Sequence, residues 1–188
     1  MSTLMPTPGQ TVGPFFHYGL PYEGGAELVP AGHPDAIRLH GTVLDGAGDP
    51  VPDSLIEIWQ ADPEGRIVQA PGSLHRDGWT FTGWGRAATD AAGRYSFTTV
   101  LPGAAEGDAP FFAVTVFARG LLDRLFSRAY VPEHPALHDD ALLTSLPEDR
   151  RGTLIASSDA SGLVFDIRLQ GEGETVFLTF PDNGRLQA

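Results

Sequence analysis

Apolar and polar residues alternate along several short stretches of the chain, which is the pattern of a β-strand with one buried face. In 37–43, apolar residues alternate with Arg38, His40 and Thr42, and a turn-forming sequence at 45–49 ends the run. The pattern predicts a strand followed by a hairpin-type connection.

Eight short strands are predicted in total, each bounded by Gly, Pro, Asp or Ser. Segment 54–60 has apolar pairs that predict burial on both faces, and 111–118 is an unbroken apolar run typical of a central strand. The predicted strands are 37–43, 54–60, 83–89, 95–100, 111–118, 153–157, 163–169 and 176–180. Residues 66–82 are predicted to form a long loop, and 139–144 a single helical turn with an acidic N-terminus. This spacing predicts an all-β fold, an antiparallel β-sandwich of about eight strands.

The first 36 residues have no sustained period and are rich in Pro and Gly. They nevertheless contain four aromatic residues, Phe16 and Tyr22 among them, whose rings favour burial. An irregular arm cannot form its own core, so it must lie along the domain or against a partner chain. We therefore predict an N-terminal arm at 1–36 and a sandwich domain at 37–188.

Composition narrows the classes of partner. The chain has 188 residues, 41% hydrophobic and 19% charged, so one domain with a buried core is expected rather than disorder. Its net charge of -12 predicts a surface that repels nucleic acid and anionic membranes. Because the chain has no Cys, disulfides and thiolate metal sites are excluded. Residues 1–6 lack a signal-peptide pattern and no apolar run is long enough to span a membrane, so a cytoplasmic protein is expected.

Residue types alone reveal no complete active site. His134 and His138 are four residues apart, but Pro135 lies between them and no Glu follows His134, so a solvated loop is favoured over a metal site. His40 is predicted to be an exposed residue on the polar face of its strand. The sequence contains no nucleophile elbow, no phosphate-binding loop and no dinucleotide-binding glycine motif.

Arg119 is the one positive signal for ligand binding. It follows the predicted strand 111–118 and precedes Gly120, which places a planar guanidinium group at a strand end, where it can bind a carboxylate. The other interpretation is that Arg119 caps the sheet edge or pairs with a surface acid. On residue types alone, this second interpretation is favoured.

Four stretches, in the same order along the chain, resemble the intradiol ring-cleaving dioxygenases, and together they cover most of the sequence. The stretches are 7–16 (TPGQTVGPFF), 39–62 (beginning LHGTVLDG and ending PDSLIEIWQAD), 85–103 (with GRAATD, GRYSFTTV and a final PG) and 165–177 (FDIRLQGEGETVF). Several separated matches in one order are more specific than any single motif. The resemblance implies a β-sandwich and intradiol cleavage of a catechol ring.

This sequence departs from the family pattern at the iron ligands. The resemblance implies that catalytic members hold ferric iron with two tyrosinates and two histidines, the histidines in an Arg-Pro-x-His-x-His run. Here that run aligns with 109–114, so Phe112 and Val114 occupy the histidine positions. The Pro-Gly turn that precedes one tyrosinate is followed by Ala104 and Ala105, and the segment expected to supply the other contains no tyrosine. Because these side chains have no lone pair to donate, we expect apolar packing there instead of iron.

The resemblance implies an iron-free chain that pairs with a homologous, iron-bearing β subunit in αβ protomers of a larger symmetric assembly. In that case the arm at 1–36 docks on the partner chain. The expected activity is conversion of protocatechuate and O2 to 3-carboxy-cis,cis-muconate at the Fe(III) of the β subunit. This chain would hold no cofactor of its own.

The resemblance also assigns four substrate-binding residues to this chain. Arg119 would place a positive charge near the substrate carboxylate, and Thr11, Gly13 and Pro14 would line the pocket. None of the four is expected to be catalytic or to bind a metal. Two other functions remain open at this point: a non-enzymatic β-sandwich binding module, and a self-sufficient iron dioxygenase that acts on catechol.

Overall fold

The computed structural model describes residues 13, 16–69, 76–105 and 107–180. Over these residues, strands form two sheets that pack face to face, which confirms the predicted all-β sandwich. The strands are β1 (Ile37–Leu44), β2 (Leu55–Gln60), β3 (Trp84–Ala88), β4 (Arg94–Thr99), β5 (Phe111–Phe117), β6 (Leu125–Tyr130), β7 (Ser157–Asp159), β8 (Gly162–Val164) and β9 (Ile167–Arg168).

The two sheets differ in how their strands pair. The first has the order β4-β1-β8-β7, with β9 pairing farther along β1. Strand β1 is antiparallel to β4 but parallel to β8 and β9, so the sandwich is not antiparallel throughout. The second sheet has the order β3-β2-β5-β6 and is fully antiparallel. Strand β5 lies inside this sheet, as its apolar sequence predicts.

Every second side chain along the strands points into the space between the sheets and forms the core. In β5, Phe112, Val114 and Val116 are buried, while the residues between them are only partly covered. The prediction that β2 is buried on both faces is wrong at Trp59, which is 46% exposed. Trp59 faces away from the core because side chains of a strand alternate between the two faces of its sheet, and the outer face is only partly covered here.

Three sequence predictions fail in the last third of the described chain. Strand β6 is missing from the prediction because Ser127 and Arg128 interrupt its apolar pattern, yet it pairs with β5 along its length. Segment 153–157 was predicted as a strand, but it begins in the 3-10 turn Gly152–Leu154, Ile155 makes only an isolated bridge to Tyr130, and β7 starts at Ser157. Segment 176–180 is too isolated to form a strand, and only Leu178 bridges to β6.

Several short helices and helical turns lie outside the two sheets. They are α1 (Phe16–Gly19), α2 (Ala141–Ser145) and α3 (Glu148–Arg151), with 3-10 turns at Pro135–His138 and Gly152–Leu154. The predicted helical turn at 139–144 is confirmed as α2: the Asp140 carboxylate accepts hydrogen bonds from the backbone N–H groups of Leu142 and Leu143. Among the residues that the structure describes, no helix has the length and hydrophobicity needed to cross a bilayer.

The second half of the N-terminal arm packs on the chain's own sandwich. Leu28 and Val29 are buried, and the ring of Tyr22 stacks on Trp84 with 6.0 Å between centroids. Arg76 binds this segment to the sheet edge, donating to the carbonyl oxygens of Gly25 and Trp84 at 3.2 and 2.6 Å. Docking of the arm on a partner chain remains a prediction.

Candidate functional site

The positions that align with the family's histidine ligands lie inside the apolar core. Phe112 is 0% exposed and Val114 is 2% exposed. Both belong to the cluster that joins the two sheets, which also contains Ile58 and Phe97. A benzyl and an isopropyl group fill the space at these positions, so the residues present here do not fit a ferric ion.

The Pro-Gly turn at 102–103 brings further apolar groups to the same end of β5. The family resemblance implies a tyrosinate ligand just after this turn. Here Ala105 follows the turn, and it lines a cavity together with Pro110 and Phe111. Methyl groups there cannot coordinate a metal. Within the described ranges, no group of three or more His, Cys, Asp or Glu residues is arranged to hold a metal ion.

Arg119 lies at the opposite end of this strand. The last residue of β5, Phe117, is five residues beyond Phe112, which corresponds to about 17 Å at the usual rise of a strand, and Arg119 follows in the turn after β5. Its Nε lies 2.9 Å from Oδ2 of Asp53, a residue that precedes β2. The Arg119 side chain is 62% exposed and that of Asp53 only 10%. The guanidinium group is thus held at the strand end by an acid and remains open to solvent.

The remaining predicted site residues belong to the N-terminal arm. Thr11 and Pro14 lie outside the described residues. Gly13 is exposed, and a Cβ atom added to it would meet no atom of the described structure within 4 Å. The part of the chain that the structure describes therefore places no atom against Gly13, and its role in a pocket remains a prediction.

The structure also brings together three polar residues that the sequence does not relate. Nε2 of His40 lies 3.1 Å from Ser161 Oγ and 3.3 Å from Asp159 Oδ2. His40 is therefore a bonded residue whose side chain is 17% exposed, and the prediction of a simply exposed histidine is wrong. Hydrogen bonds, from the Ser161 hydroxyl first of all, lower the pKa of Asp159 to about 2.

This trio lacks the geometry of a catalytic triad. In a triad the acid and the nucleophile contact different nitrogens of the histidine, so that the acid orients the ring and the free nitrogen takes the proton. Here Asp159 and Ser161 both approach Nε2 of His40. The trio instead closes the turn between β7 and β8 against β1. His134, the other candidate histidine, accepts a backbone hydrogen bond from Ala136 at 3.3 Å and caps a 3-10 turn.

Comparisons with known proteins identify the family to which the chain belongs. The family model described as "Dioxygenase" matches residues 12–134. The protocatechuate 3,4-dioxygenase alpha chain of Burkholderia cepacia is 40% identical over 94% of this chain and 98% of its own length. The beta chain from the same organism is 35% identical over 75% of this chain and 67% of its own.

A solved structure of a dioxygenase domain also resembles this chain. The dioxygenase domain of a dioxygenase and carbohydrate-binding protein fusion from Streptomyces sp. SirexAA-E superimposes with a TM-score of 0.60 at 27% identity, covering 89% of this chain and 99% of that one. The alignment over nearly the full length and the shared sandwich therefore show that the chain belongs to the intradiol ring-cleaving dioxygenase family.

Proposed function

We propose that this chain is the iron-free α subunit of a cytoplasmic protocatechuate 3,4-dioxygenase. It pairs with a homologous β subunit that holds the ferric iron, and helps to form the pocket in which protocatechuate and O2 become 3-carboxy-cis,cis-muconate. The observation that carries the proposal is the apolar burial of Phe112 and Val114 at the histidine positions of the family. The similarity to an alpha chain over nearly the whole length supports it.

The separation between Arg119 and Phe112 also favours a site built by two chains. Phe112 and the end of β5 at Phe117 are about 17 Å apart, which is too long for Arg119, in the turn beyond that end, to contact a ring bound at the start of the strand. An exposed guanidinium group at the sheet end can instead reach into a pocket on a neighbouring chain. This geometry explains why a chain without metal ligands would retain a cation at this place.

The role that we propose for Arg119 is orientation of the substrate. A charge-assisted hydrogen bond from its guanidinium group to the protocatechuate carboxylate would contribute about 1.5–3 kcal/mol. Thr11, Gly13 and Pro14 would complete the wall of the pocket, since Gly allows close backbone approach and Pro stiffens a loop. Placing the reactants in this way lowers the barrier without any chemical step on this chain.

Kinetics of the complex with the β subunit test the role of Arg119. Arg119→Ala is expected to lower kcat/KM for protocatechuate about 10- to 100-fold, the equivalent of the lost bond, with iron content unchanged. Catechol has no carboxylate, so kcat/KM for catechol should change far less. Arg94→Ala, which removes another exposed arginine from an ion pair, is the matched control. An unaltered kcat/KM for protocatechuate in Arg119→Ala would remove Arg119 from the site.

Two further measurements test the rest of the proposal, one on the chain alone and one on its complex with the β subunit. Metal analysis should find no stoichiometric iron, and stoichiometric ferric iron would support a self-sufficient dioxygenase instead. Co-expression with the β subunit should yield a stable complex on size-exclusion chromatography. If the chain is monodisperse and forms no complex with the β subunit, the result would support a non-enzymatic binding module.

A further inference from the structure

A cavity of about 320 Å³, open to solvent, lies beside the segment that follows β6. Its lining comes from the 3-10 turn Pro135–His138 and the residues before it, from α2, and from the end of α3. Four of its described lining residues can carry charge: Glu133, His134, His138 and Arg151. None of the described lining residues is shared with the cavity at the start of β5, and the function proposed above leaves this second cavity unassigned.

The acid and the guanidinium group of this cavity are not paired with each other. Arg151 donates from Nε to the carbonyl oxygen of Leu146 at 3.0 Å and from Nη2 to that of Thr144 at 3.4 Å. These bonds hold the guanidinium group in place, but within the described part of the chain no carboxylate lies within 4.0 Å of it. Among the same residues, Glu133 likewise has no cationic group at that distance. Both charges are therefore available to a ligand.

His134 adds a hydrogen-bond donor to this cavity rather than a metal ligand. Its Nδ1 accepts from the backbone N–H of Ala136 at 3.3 Å, the bond that caps the 3-10 turn. Because the accepting nitrogen carries no hydrogen, the neutral ring must carry its hydrogen on Nε2. An Nε2–H group has no lone pair to give to a metal ion, but it can donate to an anionic group. The imidazole thus supplements Arg151 as a donor.

The backbone holds Glu133 at the rim of the cavity in a strained conformation. Within the described ranges, Glu133 is the one non-glycine residue with a positive φ, which is 61°. A side chain disfavours this left-handed region, whereas glycine adopts it freely. Such conformations persist where the surrounding structure fixes them, and they are concentrated at functional sites. Pro132 and Pro135 stiffen the chain on both sides, so the position of the acid is set in advance.

Apolar side chains form the rest of the lining. Leu143 is 2% exposed, and Leu137 and Ile155 pack against the buried cluster to which Leu143 belongs. Packing in this cluster fixes the apolar wall before a ligand enters, which lowers the cost of ordering on binding. Ligand cavities span about 300–1,000 Å³, so this cavity suits a small ligand with an apolar part.

We propose that this cavity binds a small α-amino acid with an aliphatic side chain. The carboxylate of the ligand accepts hydrogen bonds from Arg151 and His134, and its ammonium group pairs with Glu133. The aliphatic side chain packs on Leu137 and Ile155. Because an amino acid of this kind has no net charge, the net charge of -12 on the chain does not repel it as it repels a simple anion.

Isothermal titration of the full chain with L-leucine tests the site. Leucine should bind saturably, with one site per chain. 4-Methylpentanoate has the same carbon skeleton without the ammonium group, and 3-methylbutylamine has it without the carboxylate. Each of these two probes leaves one charged group of the cavity without a partner, so each should bind at least tenfold more weakly than leucine.

Two variants remove the charges of the cavity separately. Arg151→Gln and Glu133→Gln should each weaken leucine binding at least tenfold. Arg150→Gln is the matched control, because the side chain of Arg150 does not line the cavity, and it should leave leucine binding unchanged. Glu133 is exposed, so Glu133→Gln tests the site even if Arg151→Gln does not fold.

Three outcomes would overturn the proposal. They are leucine binding that does not saturate, equal affinity for leucine and 4-methylpentanoate, and wild-type affinity in Glu133→Gln. The titration is then repeated on the αβ complex, where leucine should still bind. Loss of binding there would show that the β subunit covers the cavity, and the small-molecule site would be rejected. The kinetics of Arg119→Ala do not involve this cavity, so this inference and the proposed function can fail separately.

Discussion

Nε of Arg119 lies 2.9 Å from Oδ2 of Asp53, so the cation that we propose to bind a substrate carboxylate is already paired with a carboxylate of its own chain. Asp53 is largely buried beside β2 while the guanidinium group extends into solvent. Arg119 is thereby held at the sheet end before any substrate arrives. A substrate carboxylate would have to share Arg119 with Asp53 or replace Asp53.

Asp53→Asn should strengthen substrate binding in the αβ complex. The variant removes the competing charge, and an exposed ion pair contributes about 0–1 kcal/mol, so KM for protocatechuate should fall by up to about fivefold. Steady-state kinetics measure the change, and Asp90→Asn, which releases the exposed Arg94, is the control. A rise in KM would mean that Asp53 positions Arg119 rather than competing for it.

Arg86→Ala should destabilise the fold by about 2–3 kcal/mol, because it leaves the Glu57 carboxylate without its partner. The two side chains are only 16% and 18% exposed, and Nε and Nη2 of Arg86 both donate to Glu57 Oε1. Nη1 also donates to the carbonyl oxygen of Leu20 in the N-terminal arm. Urea denaturation measures the loss. Arg94→Ala, at an exposed pair, should stay within about 0.5 kcal/mol of wild type, and equal losses in the two variants would contradict this account.

Gly41→Ala should destabilise the chain by about 3 kcal/mol or more. A Cβ atom at this position of β1 would lie 2.0 Å from the carbonyl oxygen of Phe165, so the parallel pairing with the strands beyond it must open. Gly32→Ala is the matched control, since nothing lies within 4 Å of its Cβ position. Thermal unfolding of both variants checks the prediction, and similar Tm values would refute it.

Asp62→Asn should remove a contribution to stability that depends on pH. Burial raises the pKa of Asp62, but hydrogen bonds from the side chain and backbone of Arg66 outweigh it and keep the pKa below the ordinary value of 3.8. A lowered pKa in the folded state means that the ionised group stabilises the fold above about pH 4, and that this contribution is lost as the pH falls. The difference in unfolding free energy between wild type and Asp62→Asn should therefore be constant from pH 5 to 7 and shrink below pH 4. A difference that does not change between pH 6 and 2.5 would contradict the assignment.

Placing histidines at the two positions that align with the family's histidine ligands should not create iron binding. Phe112→His with Val114→His places two imidazoles in a closed apolar core, and their unpaired nitrogens should destabilise the fold by about 2 kcal/mol or more. Ala104 and Ala105 still provide no tyrosinate. Metal analysis and thermal unfolding of the double variant test this. Phe112→Leu, which keeps the core apolar, is the control, and stoichiometric iron in the double variant would contradict the prediction.

The sequence alone predicted the sandwich because alternating apolar residues and turn signals are local properties. With the family resemblance, it also predicted that the iron ligands are replaced, since Phe112 and Val114 stand at the histidine positions of a short motif whose spacing is fixed by one strand. It placed Arg119 at a strand end for the same reason. The assignment of Thr11, Gly13 and Pro14 to the substrate pocket rests on the family resemblance, and their role remains a proposal.

Only the tertiary structure decided which distant residues meet. Strand β6 is identified only by its pairing with β5. The parallel pairing of β1 with β8 and β9 joins segments that are more than 100 residues apart in the sequence. The partnership of Arg119 with Asp53 and the cavity lined by Glu133 and Arg151 also depend on loops that fold together from separate segments. Hydrophobic periodicity reports which face of an element is buried, but not which partner buries it, and so the sequence determined the elements of this protein while the packing between them determined its sites.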